Sequence, residues 1–126
     1  MKILFAASEI YPLIKTGGLA DVAGALPVAL RNKGHDVKLI MPAYRGILEK
    51  VAPIQKSINL GNPFGVGDLL LLETHIPEND TPIWLLQCQA LYEREDGPYV
   101  DKNGIDFTDN HLRFAALSWA TATLAL

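Results

Sequence analysis

Two adjacent glycines after a short apolar run constrain this chain more than any other feature. Lys2–Ala7 is continuously apolar after its first residue, Glu9–Gly18 breaks the pattern with Pro12 and Gly17-Gly18, and a helical period starts at Leu19. Leu19, Val22, Ala23, Leu26 and Leu30 recur at the spacing of one helix face. That stripe is expected to face the core. Pro27 falls within it and is expected to kink the helix or start its second half, because it removes a backbone donor. Gly34 stands where a helix C-terminus takes a glycine, and Val37–Met41 is a second apolar run ended by Pro42. Strand, glycine turn, helix, strand in that order is a βαβ unit, which predicts parallel strands and a right-handed crossover. Lys2–Ala7, with no polar alternation, is expected to be a fully buried central strand.

Farther along, Leu69–His75 and Ile83–Gln87 are strand-like and flank the turn-rich Pro77–Pro82, so they are expected to pair as a hairpin. Ile54–Leu60 alternates weakly and is a third strand candidate. Residues 92–110 form a polar loop, after which Thr108 or Asp109 can cap a last helix running through Leu126. There is no internal repeat, low-complexity tract or linker. The reading is a single α/β unit over residues 1–126.

Composition narrows the function classes. With 49% hydrophobic residues and 20% charged, the chain can build a core and is not intrinsically disordered. Its net charge is −3 and no basic run occurs, which argues against a nucleic-acid surface. The lone Cys88 excludes an internal disulfide and fits a reducing compartment; it is expected to pack as a small apolar residue. The N-terminal apolar run is too short for a signal peptide, and Phe114–Leu126 falls short of the ~20 residues that span a bilayer. A soluble, cytoplasmic chain is expected. It stops inside the apolar stretch Leu124-Ala125-Leu126, which suggests a truncated domain or an element needing a partner. Phe114, Ala115, Leu117, Trp119, Ala122 and Leu126 make the last helix apolar nearly all round, so the chain alone is expected to self-associate through it or to be marginally stable.

The chemistry concentrates at Lys15-Thr16-Gly17-Gly18-Leu19-Ala20-Asp21. The turn lies at the carboxyl end of the first strand, where open α/β sheets bind ligands. Glycines let a ligand approach the backbone closely or allow positive φ. The first-turn N–H groups carry the positive end of the helix dipole, and Lys15 adds a full charge, a combination that suits a phosphate or diphosphate. The turn is neither a GxGxxG fingerprint nor a P-loop. A plain strand-to-helix turn with a solvated lysine remains the competing reading. Asp21 can serve simply as an acid in the first helical turn, and Glu9 as a loop carboxylate at the sheet edge. Asp106, Asp109 and Asn110 lack a metal-binding loop, and His35, His75 and His111 have no ligand spacing, so no metal site is expected. Glu93-Arg94-Glu95-Asp96 reads as a solvated charge run.

Ser8–Val22 resembles the N-terminal signature of bacterial glycogen synthases and plant starch synthases. Gly24-Ala25-Leu26-Pro27, the stretch from Gly34-His35 to Met41-Pro42, Leu91-Tyr92 and Asp106–Phe114 match the same family in the same order. The resemblance implies a GT-B architecture of two Rossmann-like domains facing a cleft, of which this chain would be an incomplete N-terminal domain. It also implies transfer of glucose from ADP-glucose, or UDP-glucose in some members, to the non-reducing end of an α-1,4-glucan. In that family transfer proceeds with retention and without a metal or other cofactor, and the same is expected here. Positions matching Lys15 and Gly18 contact the donor diphosphate in that family, and those matching Glu9, Asp21 and Tyr92 lie in or near the cleft. Lys15 is accordingly expected to stabilise the leaving group, with Gly17 and Gly18 donating backbone N–H groups. Further catalytic groups would lie beyond residue 126, leaving the segment alone inactive. The alternative is a non-catalytic anion- or nucleotide-binding α/β module.

Overall fold

The computed structural model describes residues 1–126. Strands β1 (Lys2–Ala6), β2 (Asp36–Pro42), β3 (Lys56–Asn59), β4 (Leu70–Ile76) and β5 (Thr81–Gln87) form one sheet. Helix α1 (Gly18–Asn32) joins β1 to β2, the short α2 (Gln89–Tyr92) follows β5, and α3 (Asn110–Ala125) closes the chain. The strand order is β1-β2-β5-β4-β3. The βαβ unit is present: β1 pairs parallel with β2, and β2 pairs parallel with β5. The expected hairpin then extends the sheet antiparallel, with Leu72 opposite Leu85 and Thr74 opposite Ile83, and β3 adds to its outer edge. The sheet is therefore mixed, parallel on the side that carries the glycine turn.

Burial follows position in that order. Val37, Leu39, Ile40 and Met41 of β2 are buried, as are Ile83, Trp84, Leu85 and Leu86 of β5, so both central strands are covered on two faces. Cys88 joins the same core. Within residues 1–126 the first strand stands at an edge and not centrally: β1 pairs only with β2, and Leu4 and Phe5 are only partly buried against the core.

Helix α1 runs without a break through Pro27, which is buried. Its C-terminus is a Schellman turn: Gly34 at φ +93° donates to the Arg31 carbonyl (2.9 Å), and His35 donates to the Leu30 carbonyl (3.2 Å). The buried face is only partly the expected one: Ala23 of that stripe faces inward with Ala20 and Pro27, whereas Leu19, Val22 and Leu26 are exposed and Leu30 is half-buried. The reason lies in the loop before the helix. Tyr11 donates its N–H to the Ala20 carbonyl (3.0 Å), and a Cβ at Gly24 would lie 2.5 Å from the Tyr11 carbonyl oxygen. A backbone that close admits only small side chains. Helix α3 buries Ala116, Leu117 and Ala120, with Phe114, Trp119 and Leu124 partly covered; Trp119 meets Phe64 edge-on at 6.1 Å. No helix is long and apolar enough to cross a membrane.

In an exposed helix interior, glycine to alanine gains up to about 1 kcal/mol. At Gly24 the clash with Tyr11 reverses that sign. Gly24→Ala is expected to destabilise the fold by about 1–3 kcal/mol, the range of an overpacked core. Chemical denaturation of the variant against the parent chain measures this, and equal or higher stability would remove the close approach as the cause of α1's orientation.

Candidate functional site

Three loops leave the carboxyl ends of the parallel strands and meet there. They begin at Ser8-Glu9 after β1, at Ala43-Tyr44 after β2, and at α2 after β5. Tyr44 donates its hydroxyl to the Ser8 carbonyl (2.6 Å), and the Ser8 hydroxyl pairs with that of Tyr99 (2.6 Å). The Tyr44 ring meets Tyr92 edge-to-face at 6.1 Å. Tyr92 in turn donates to the Arg113 carbonyl (2.5 Å). Burial pushes the Tyr44 and Tyr92 hydroxyls well above the usual phenol range, so both act as neutral donors. Tyr99 is also raised, chiefly by burial, with the Glu9 carboxylate adding to the effect.

Arg113 is the centre of this cluster and is fully buried. Its Nε donates to the Leu91 carbonyl (2.6 Å), and its Nη1 donates to the Pro98 carbonyl (2.7 Å) and to Asn110 Oδ1 (2.7 Å). Asn110 passes the connection on to the Tyr99 carbonyl (2.9 Å). The guanidinium also lies over Phe107 (4.8 Å) and Phe114 (5.5 Å). Burial lowers its pKa below the ordinary arginine value.

The glycine turn sits beside this cluster, and its geometry is built from the loop upward. Ile10 and Leu13 are buried and anchor the loop base, and Lys50 Nζ holds the Leu13 carbonyl (2.9 Å). Glu9 is buried, and its Oε2 accepts from both the N–H (3.0 Å) and the Oγ1 (2.5 Å) of Thr16. Gly17 is extended at φ −163° and serves as N-cap of α1, with no side chain capping the helix. Lys15 Nζ pairs with Asp21 (2.8 Å); both are about half exposed. The Asp21 hydrogen bond raises the Lys15 pKa, so the ammonium is charged at neutral pH. Neither Gly17 nor Gly18 has positive φ, and a Cβ at either would meet nothing within 4 Å. Nothing inside the chain demands glycine at these two positions.

The expected site residues thus fall into two groups. Lys15, Gly17, Gly18 and Asp21 come together on the open surface at the α1 N-terminus. Glu9 lies beneath them, with one carboxylate oxygen engaged by Thr16. Tyr92 is buried with its hydroxyl committed to a backbone carbonyl. The largest open cleft, ≈ 640 Å³, lies elsewhere, against Tyr44, Arg45, Asp68, Gln89 and Glu93. No three His, Cys, Asp or Glu side chains converge as metal ligands would. Thr16, Tyr44, Tyr99 and Arg113 carry roles that residue patterns did not single out. Arg113 had a signal: it is the one Lys or Arg in the Asn110–Ala125 helix.

The charge run around residue 94 also divides. Glu93 and Glu95 are exposed and pair with Arg45 (3.5 and 2.9 Å). Arg94 turns inward over Phe107 (4.7 Å) and binds Asp109 through both nitrogens (2.8 and 2.6 Å). Asp109 holds the N-cap position of α3, as expected, but its carboxylate goes to Arg94 and makes no capping bond.

Comparison with solved structures places the fold. The catalytic domain of Starch Synthase IV from Arabidopsis thaliana, bound to ADP and acarbose, superposes with a TM-score of 0.73 at 22% identity; the alignment covers 98% of this chain and 24% of that one. The fold is thus that of the corresponding part of this catalytic domain. A family model for the starch synthase catalytic domain matches residues 2–126, and the chain belongs to that family. Among curated relatives, a glycogen synthase from Marinomonas sp. (strain MWYL1) is 97% identical over 126 residues, covering 100% of this chain. A glycogen synthase from Rhodospirillum rubrum is 51% identical over 124 residues, covering 98% of it. The chain spans 26% of the length of each of these two relatives.

The Arg94–Asp109 pair sets an acid dependence. Arg94 holds the Asp109 carboxyl below its ordinary value, so on acidification the unfolded chain takes up this proton first. The pair's contribution is present above about pH 4, the unfolded carboxyl value, and is lost as pH falls through the lower folded value. Asp109→Asn is expected to flatten the loss of stability below about pH 4, read from denaturation midpoints across that window. An unchanged slope would assign acid sensitivity to other carboxylates.

Proposed function

We propose that residues 1–126 supply the donor-diphosphate part of a retaining glucosyltransferase. The reaction moves glucose from ADP-glucose to the non-reducing end of an α-1,4-glucan, with the sugar nucleotide as substrate and no metal or other resident cofactor. The segment would act with further chain, in the cytoplasm, and be inactive alone. One observation carries the reading: Gly17 and Gly18 are glycines that the fold itself does not require, at an uncapped helix N-terminus beside a charged lysine. Side-chain-free backbone is then explained by what approaches it from outside. An anion there meets unpaired N–H groups and the positive end of the α1 dipole. The ADP and acarbose of the Arabidopsis domain fit a sugar-nucleotide donor and a glucan acceptor.

The chemistry follows from charge development. As the bond between glucose and diphosphate breaks, the leaving ADP gains negative charge. Lys15 and the first-turn N–H groups are held in place beforehand, so they stabilise that charge more in the transition state than in the ground state. Asp21 would occupy Lys15 until the diphosphate competes for it. Glu9 and Tyr92 support the site from below, with no direct contact to substrate.

Two substitutions separate this reading from a plain strand-to-helix turn. In a chain of the relatives' full length, Lys15→Ala is expected to lower kcat/KM for ADP-glucose by about 10²-fold, the scale of losing one charge-stabilising donor. Gly17→Ala is expected to leave thermal stability unchanged, since its Cβ meets nothing, yet raise the ADP-glucose KM. Parent-like kinetics in both variants would refute the assignment.

We also propose that the 126-residue segment by itself self-associates. Besides the partly covered α3, the exposed stripe Leu19, Val22 and Leu26 on α1 supplies an apolar surface. Sedimentation of the segment is expected to show concentration-dependent association that Val22→Ser with Leu26→Ser weakens. A monomer at all concentrations would contradict it.

A further inference from the structure

We infer that Glu9 and Thr16 form an internal lock that fixes the glycine turn in its ligand-binding shape, making both positioning residues for the donor. The inference rests on the proposed role of Lys15, Gly17 and Gly18. It starts from an asymmetry in how the loop is held. The base of the loop is tied down by the buried Ile10 and Leu13, by Lys50 on the Leu13 carbonyl, and by Tyr11 against α1. Its far end is exposed, and two glycines follow, the residues with the most backbone freedom to lose. Two ties reach this end. One is the Lys15–Asp21 pair, between side chains about half exposed, which an incoming anion would break. The other is Glu9.

That second tie is built differently. Glu9 is 3% exposed and follows directly on the loop's start after β1. A single carboxylate oxygen receives both the backbone N–H and the hydroxyl of Thr16, which sets the peptide between Lys15 and Thr16 as well as the Thr16 side chain. Thr16 is flanked by the charged side chain on one side and by the N-cap glycine on the other. Holding this residue therefore sets both the origin of the Lys15 side chain and the entry of the chain into α1. Hydrogen bonds to an ionised acceptor are the stronger kind, and a buried one is little screened by salt. A binding loop held in its bound shape before the ligand arrives avoids the ordering cost at binding. The buried carboxylate, otherwise without a function in the donor site, acquires one through Thr16.

The test uses a chain of full length. Thr16→Val keeps the β-branched shape and the backbone N–H but loses the hydroxyl. It is expected to raise the ADP-glucose KM about tenfold and to leave the glucan KM unchanged, while Thr16→Ser restores the donor KM to within about twofold. Glu9→Gln is expected to behave like Thr16→Val. In the ligand-free protein, amide hydrogen exchange over residues 15–19 is expected to accelerate in Thr16→Val and not in Thr16→Ser. Should Thr16→Val fail to fold, Thr16→Ala at this exposed position carries the same expectations. Parent-like donor KM in the folded hydroxyl-less variant overturns the lock. So does a Glu9→Gln effect confined to the glucan KM, which would make Glu9 an acceptor ligand. Lys15→Ala separates the two levels: if it impairs donor use while Thr16→Val does not, only the lock fails. If neither affects the donor, the diphosphate reading itself fails.

Discussion

The fold depends on how a single buried arginine is accommodated. Arg113 brings a positive charge into the junction between α3 and the loops that leave β5, with no carboxylate against it. A cation in such a place is costly unless its donors are satisfied. Three neutral oxygens and the faces of aromatic rings do that here, and the acceptors come from α2, from the 98–99 loop and from α3 itself. Nη2 remains without a partner, the residual cost of the arrangement. Because two of the three acceptors are backbone carbonyls, those of Leu91 and Pro98, the arginine helps to specify where the chain passes as well as which side chains line it. Tyr92 and Asn110 then carry the same junction to Tyr44, Tyr99 and Ser8. The start of the glycine loop is thereby referenced to the far end of the chain.

The βαβ order, the Schellman glycine and the β4–β5 hairpin were legible because each is local. Gly34 needs only its own positive φ, and the hairpin needs only two apolar runs and a turn. The orientation of α1 was not legible for a physical reason. Its sequence offers two overlapping candidate faces that share Ala23, one with Leu19, Val22 and Leu26 and one with Ala20 and Pro27. Hydrophobicity favours the first; the close approach of the Tyr11 backbone at Gly24 selects the second. A contact between residues thirteen apart in the chain, one of them a loop backbone, leaves no periodic trace.

The site shows the same division between what residue type reveals and what only geometry reveals. Lys15, Gly17 and Gly18 could be singled out because charge and absent side chains are properties of the residues themselves. Glu9 stands out by residue type, while its burial and its bonds to Thr16 come from geometry alone. Tyr92 likewise turns its hydroxyl to a backbone carbonyl and supports the arginine junction.

These two kinds of residue account for each other. The proposed diphosphate site would draw on backbone N–H groups beside two glycines, and glycine leaves the backbone free to move. Free backbone is poor at holding a developing charge, because each donor must first be ordered. The freedom has to be removed by contacts that stay out of the ligand's way. Buried carboxylate on threonine, tyrosine on carbonyl and lysine on carbonyl all meet that condition, since each acts from beneath the loop. An open glycine turn of this kind is therefore expected to sit above a dense polar underside, and the ordering of that underside is what lets the surface remain bare.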